Sequence, residues 1–418
     1  MELTMKKVSV IAAAVAATLA AGSAFAVDFN GYFRAGTGIS GNGDADISFQ
    51  KNGIGRLGNE NDNYYEFGFS EELKTGDQTW KIDSMLAKGD DEGKNGWEAG
   101  DINVAQFNVQ AKGLLTSDKE AVLWAGKRYY QRKDIHITDF YFLNTSGTGG
   151  GIENLSIGNQ KLSVALIQDG ETDNSSGYIF DARLANIGLW ENATLELAVA
   201  YNFATEKDTK TEDADNGVMG TAILHQGLSN GFNQTVFQYG TAGYGAQVAN
   251  FGGSGAYYGR GSVDNNDANG FRLLNWGVIS LGENWEMGHQ LAYLAGSDIA
   301  GHDDNGAYTG KNFDINQYSV VVRPMYKWND TMRTVFEAGY NAGKKINDTK
   351  KDPNRGLATE DFGNAKFTVA QAWAMGNGFW ARPELRVYGT YLLDTENDKA
   401  FGDDDTEFVV GIQVEAWW

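Results

Sequence analysis

Residues 406–418 read TEFVVGIQVEAWW, from Thr406 to Trp418, and they alternate without a break. Phe408, Val410, Ile412, Val414, Ala416 and Trp418 share one parity; Glu407, Val409, Gly411, Gln413, Glu415 and Trp417 share the other. A period of two puts successive side chains on opposite faces, which is the signature of a β-strand. One face of this strand suits an apolar surround and the other suits water.

The same grammar recurs along the chain. Phe29, Gly31, Phe33 and Ala35 alternate with Asp28, Asn30, Tyr32 and Arg34, and Tyr65, Phe67 and Phe69 alternate with Tyr64, Glu66 and Gly68. Leu195, Leu197, Val199, Tyr201 and Phe203 oppose Glu196, Ala198, Ala200 and Asn202, and Val320, Val322, Pro324 and Tyr326 oppose Ser319, Val321, Arg323 and Lys327. Phe379, Ala381, Pro383, Leu385 and Val387 are likewise read against Trp380, Arg382, Glu384, Arg386 and Tyr388. Stretches 88–96, 205–217, 241–270, 301–312 and 396–405 are rich in Gly, Asn and Asp and read as turns and surface loops. No helical domain or plug-like leader stands out, so the class is all-β.

Bulk properties narrow what such a sheet encloses. Residues 1–26 read as a secretory signal peptide: Lys6 and Lys7 precede a short apolar run, and Ala24-Phe25-Ala26 supplies the small-x-small cleavage pattern. Residues 27–418 then form a single domain. There is no cysteine, so no disulfide holds this exported chain. A net charge of −21 argues against nucleic acid, whose phosphates need a basic face. After the leader, no run approaches the roughly 18 apolar residues of a membrane helix. A transmembrane β-barrel fits all of this, because polar lumen positions and apolar lipid positions cancel in the average. The rival is a soluble β-sandwich, which would be unusually large. At roughly 22 residues per strand with its connections, the chain holds about 18 strands. Ending on an aromatic at the apolar parity resembles the terminal signal of bacterial outer-membrane barrels.

The chemistry lies in aromatics at the watery parity. Tyr32 shares a face with Arg34, Tyr64 with Glu66, Trp380 with Arg382, Glu384 and Arg386, and Trp417 with Glu415. A ring facing water is costly unless something apolar comes to lie on it. Pyranose rings have apolar C–H faces and a rim of hydroxyls, so aromatics serve the face while Arg and carboxylates bond the rim. A row of such pairs guides an oligosaccharide lengthwise.

Several blocks carry a family resemblance over the whole mature length. They are Arg56-Leu57-Gly58-Asn59-Glu60, Trp124-Ala125-Gly126-Lys127-Arg128 with Tyr130-Gln131-Arg132, and Asp139-Phe140-Tyr141. Gly231-Phe232-Asn233, Arg323-Pro324-Met325-Tyr326-Lys327-Trp328 and the final Trp417-Trp418 complete the set. In these the chain resembles the maltoporins. The resemblance implies an 18-stranded antiparallel transmembrane barrel in the outer membrane, a homotrimer surrounded by lipid, and an inward-folded constriction loop. It implies passage of maltose and maltodextrins along an aromatic slide at Tyr32, Tyr64, Trp97, Phe232, Trp380 and Trp417. Trp97 looks like the residue that reaches a neighbouring subunit's pore, and Tyr141 like the constriction residue. The implied polar track is Arg34, Arg56, Glu66, Arg132, Asp134, His136 and Asp139. One basic track position of the family falls on Ala105, which is expected to weaken one hydroxyl-bonding step and make the constriction more acidic. The cysteine pair of some members is absent.

Three other readings stay open. A porin tuned to sucrose or an aryl glucoside shares the same stacking physics, and a general diffusion porin would have charges without the aromatic row. An outer-membrane hydrolase would use Asp134, His136 and Asp139, a His between carboxylates that can serve as a base or bind metal. No cofactor is expected. Loop acids Asp303-Asp304 and Asp403-Asp404-Asp405 offer oxygen ligands for calcium, but their spacing matches no defined site.

Overall fold

The structure is a computed structural model describing residues 27–43, 47–60, 62–90, 102–172, 175–204, 215–251, 264–303, 305, 307–347 and 356–418. The leader at 1–26, Trp97 and Asp304 lie outside the described residues. Strands β1 (Asp28–Ser40), β2 (Asn63–Thr75), β3 (Gln78–Asp90), β4 (Asn103–Lys112) and β5 (Val122–Arg128) come first. A separate short hairpin, β6 (Lys133–Ile135) and β7 (Phe140–Leu143), follows. Then come β8 (Gly147–Ile157), β9 (Gln160–Thr172), β10 (Ser175–Trp190), β11 (Ala193–Ala204), β12 (Gly217–Leu228) and β13 (Gly231–Thr241). The last seven are β14 (Asn269–Ser280), β15 (Trp285–His302), β16 (Tyr308–Lys327), β17 (Met332–Ile346), β18 (Thr359–Ala374), β19 (Glu384–Asp394) and β20 (Thr406–Trp417).

Each barrel strand pairs antiparallel with its neighbour, β5 skipping the hairpin to meet β8, and β20 returns to β1. The result is a closed 18-stranded barrel. Closure leaves no open edge, so backbone donors and acceptors are satisfied strand to strand where no water is available.

The alternation read from the last strand holds. Phe408, Val410, Ile412 and Trp418 stand exposed on the outside, while Glu407, Val409, Gln413 and Glu415 are buried inside. Leu197, Val199 and Phe203 are outward on β11, with Glu196, Ala200 and Asn202 inward. Two-residue turns at 76–77, 158–159, 191–192 and 229–230 lie at one end, the end that carries Val27 and Trp418. Trp418 joins an outer aromatic cluster there, 5.3 Å from Phe29 and 6.1 Å from Phe33 between ring centres. The opposite end carries the long connections.

Among the described residues three of those connections, where the family resemblance implies one, fold into the lumen. Residues 47–60, with the single-turn helix α1 (Lys51–Ile54), dock on the inner wall of β16–β18. Ser319 Oγ donates to Gly53 O at 2.6 Å, Lys366 Nζ to Leu57 O at 2.7 Å, and Leu57 N–H to Glu337 Oε1 at 2.9 Å. Residues 129–146 form the second, and their Ile135, Ile137, Phe140 and Phe142 join one apolar core with Val236, Leu274 and Val321 of the wall. The third contains helix α2 (Gly243–Val248), whose carbonyls at Gln247 and Val248 accept from buried Arg272 at 2.8 and 3.1 Å. The cause is common to all three. A barrel this wide is not filled by its own wall side chains, and buried cations such as Arg272 and Lys366 need acceptors, which the loop carbonyls supply.

Two readings need correction. The alternation across 379–383 is not a strand: residues 375–383 form the turn before β19, and Phe379 is buried inward, its ring against Gly288. Its N–H donates to Glu286 Oε2 at 2.6 Å, which holds the turn under the barrel floor. The loops read at 88–96, 241–270 and 301–312 are also partly regular. Strand β3 reaches Asp90, α2 and the start of β14 lie within the second, and β15 and β16 project to His302 and back from Tyr308.

Candidate functional site

Closure of the barrel at β20, β1 and β2 places distant residues in one row. Tyr32 is level with Trp417 on one side and Glu66 on the other, and Arg34 is level with Glu415 and Tyr64. Inward parity turns all six toward the lumen, where the second inward loop faces them. Five of the six, all but Glu415, join residues of the first two inward loops in a cavity of about 820 Å³ lined by Tyr32, Arg34, Arg56, Tyr64, Glu66, Arg132, Asp134, His136, Asp139, Tyr141 and Trp417. Eleven of the residues read from the sequence are thereby brought to one place.

The aromatic side holds two groups of rings. Trp380 and Trp417 each meet His136 edge-on, at 5.5 and 5.6 Å, and Tyr32 lies 6.1 Å from Tyr64. Trp380 sits in the turn at the short-turn rim, 39% exposed. Trp417 is backed by the Arg382 guanidinium, 4.5 Å from its ring centre.

The charged side is an interlocked network. Glu415 accepts from Tyr32 Oη at 2.9 Å and from Arg382 at 2.7 and 3.0 Å, and lies 3.2 Å from both Arg56 and His136 Nε2. Arg56 also pairs with Glu60 at 2.9 Å and donates to Tyr32 Oη at 3.0 Å. Arg34 grips Asp62 through two bonds, one of 2.8 Å, and Lys51 bridges Glu60 and Asp139 at 3.1 and 2.8 Å. Glu66 accepts from Tyr64 and Tyr129 at 2.5 and 2.9 Å, both on Oε1. Charged hydrogen bonds of this density hold donors and acceptors in fixed directions.

Titration in the inward loops follows from the same geometry. Burial alone would push the Glu60 carboxyl up, but Arg56, Arg34 and Lys51 outweigh it and hold it well below the carboxylate range. Burial does prevail at Asp134, pushing that carboxyl up despite His136. Burial also pushes the His136 imidazole down against the pull of Glu415, which favours a neutral ring in neutral solution.

Three expected residues lie elsewhere. Phe232, on β13, packs edge-on against Trp276 of β14 at 5.2 Å, away from this cavity. Trp380 borders it through His136. Ala105 is the extra residue of a bulge, where Met85 pairs with Gln106 and Leu86 with Val104. Lys51, Asp62 and Tyr129 went unread, because their parts depend on loops folding inward. His136 turns Nε2 to Glu415 rather than to Asp134 or Asp139, so the rival hydrolase reading finds no His–Asp dyad there among the described residues. Among the described residues no three of His, Asp or Glu converge as metal ligands, Asp303 and Asp403 to Asp405 included.

Comparison with known proteins agrees with this architecture. The LamB porin family model matches residues 27–418. A protein named Maltoporin from Vibrio cholerae serotype O1 is 83% identical, covering 100% of both chains. Maltoporin of Photobacterium profundum is 45% identical over 94% of each, and Maltoporin 1 of Klebsiella pneumoniae 36% identical over 100% of each. The match spans every strand of the barrel and all three inward loops. The chain belongs to the LamB porin family and is a bacterial outer-membrane channel that crosses the bilayer as a multi-pass β-barrel.

Proposed function

We propose that this channel carries maltose and maltodextrins by facilitated diffusion. The observation that carries the reading is the shared cavity, where rings of Tyr32, Tyr64 and Trp417 stand beside fixed carboxylates and guanidinium groups. A glucose ring laid on these aromatics keeps its C–H face out of water while its hydroxyls trade bonds along the charged side. Trp380 serves at the rim, and Phe232 with Trp276 extends the row on the far wall. Each step is weak, because a channel must release what it binds. Names of relatives across the full length support the same substrate class. Release of residues 1–26 as an export signal, and assembly as a homotrimer with Trp97 reaching a neighbour, complete the proposal.

Maltotriose titrated against ion conductance in planar bilayers tests it. Wild-type current should fall with sugar concentration, and Trp380→Ala or Tyr32→Ala should raise the half-blocking concentration roughly threefold to tenfold, the scale of one aromatic contact. Equal block in wild type and both variants would show that the rings do not carry the sugar. Equal block by sucrose would redirect the reading to another saccharide.

A further inference from the structure

Tyr129 opens the second inward loop directly after β5, and it touches both Arg132 and Glu66 of the cavity lining. The Arg132 guanidinium carbon lies 4.1 Å from the centre of its ring and 4.2 Å from that of Tyr141. Its hydroxyl donates to Glu66 Oε1 at 2.9 Å, and its backbone N–H donates to Gln106 Oε1 of β4 at 2.9 Å. Among the described residues, the carboxylate within ion-pair distance of Arg132 is Glu66, at 3.9 Å. An unclamped guanidinium this close to a carboxylate would swing into a direct ion pair, closing both groups to any passing hydroxyl. Stacking between two rings competes with that collapse, since a cation on an aromatic face gains most where water is scarce. Tyr64 and Tyr129 both take Oε1 of Glu66, which leaves Oε2 without a protein partner among the described residues.

We propose that Tyr129 is a positioning residue for sugar selectivity: its ring holds Arg132 apart from Glu66, and its hydroxyl orients Glu66 so that Oε2 and the guanidinium both stay available to saccharide hydroxyls. The inference rests on the cavity being a sugar passage. It adds a residue outside the aromatic row and the charged track, acting through its neighbours. Preorganised groups bind weakly held ligands better because less ordering remains to be done on contact.

Single-channel block by maltotriose, with reversal potential in a salt gradient as second readout, tests it on the full-length protein. Tyr129→Phe keeps the ring and removes the hydroxyl. It should raise the half-blocking concentration about threefold, the scale of one lost hydrogen bond, and leave the reversal potential at the wild-type value. Tyr129→Leu removes the ring, and should weaken block by roughly tenfold and shift the reversal potential as Arg132 collapses on Glu66. Combining Tyr129→Phe with Glu66→Gln should cost less than the two single effects together, because both act on one carboxylate. Unchanged block in Tyr129→Phe, or full additivity with Glu66→Gln, overturns the assignment. Absence of maltotriose block in the wild type would instead overturn the sugar reading beneath it.

Discussion

Glu60 shows how one buried side chain can set the bore. Its side chain is fully buried, and Arg56, Lys51 and Arg34 surround it at 2.9, 3.1 and 3.7 Å. Two of those cations also serve the cavity, so Glu60 fixes Arg56 against Tyr32 and Arg34 beside Tyr64. Removing one partner of a buried charge cluster leaves the others uncompensated. Glu60→Gln should therefore cost about 3–5 kcal/mol. Its pH dependence has a definite sign. The folded protein holds this carboxyl below its ordinary value, so it binds the proton more weakly than the unfolded chain does. The stabilisation is complete above the usual glutamate value of about 4.3 and is lost as pH falls through the folded value. Thermal unfolding in detergent should show a wide gap between wild type and Glu60→Gln near neutrality that narrows steadily in acid. A gap of constant width from about pH 7 to pH 3 would mean that the charge is not what Glu60 contributes.

At the level of elements, strands and inward loops differ in what a reader of the sequence can see. Strand β20 was legible because side-chain period and burial follow from local order alone, as Phe408 and Glu407 show on opposite faces. Cavity residues on strands, such as Tyr32 and Trp417, followed from the same parity, and those on the loops from family resemblance. The docking of residues 47–60 was not legible, since Lys366 reaches Leu57 O across 309 positions and nothing near Leu57 announces it. The 379–383 stretch misled for the opposite reason: it alternates by chance inside a turn, and burial of Phe379 follows from its contact with Gly288 on a distant strand. Gly339 records the docking most sharply. A Cβ there would stand 2.0 Å from Ile54 O, so helix α1 rests directly on the backbone of β17. Gly339→Val should push α1 off the wall and carry Arg56 away from Tyr32. Open-channel conductance should rise and maltotriose block should weaken together, read in the same bilayer recording. A variant with raised stability and unchanged conductance would show that α1 does not narrow the pore.

Over the whole molecule, the electrostatic field and the pore lining carry different information. The sequence bears a net charge of −21, yet the cavity lining is close to balanced, with Arg34, Arg56 and Arg132 against Glu66, Asp134 and Asp139. Most of these are tied to each other or to Glu60, Asp62 and Glu415, so they project little field beyond the cavity. Selectivity among small ions should then come from the summed field of the protein, which draws cations toward the mouths. Such a field depends on ionic strength. Its reach is about 30 Å at 0.01 M salt and about 3 Å at 1 M, where each charge acts only on its immediate surroundings. Reversal potentials in potassium chloride gradients should show clear cation preference in dilute salt that fades toward neutrality in concentrated salt. Sugar block, which depends on contacts inside the cavity, should change far less over the same range. If cation preference persisted unchanged at 1 M, the controlling charge would have to lie in the constriction itself, and Asp134, which has no ion pair within 4 Å among the described residues, would be the group to replace first.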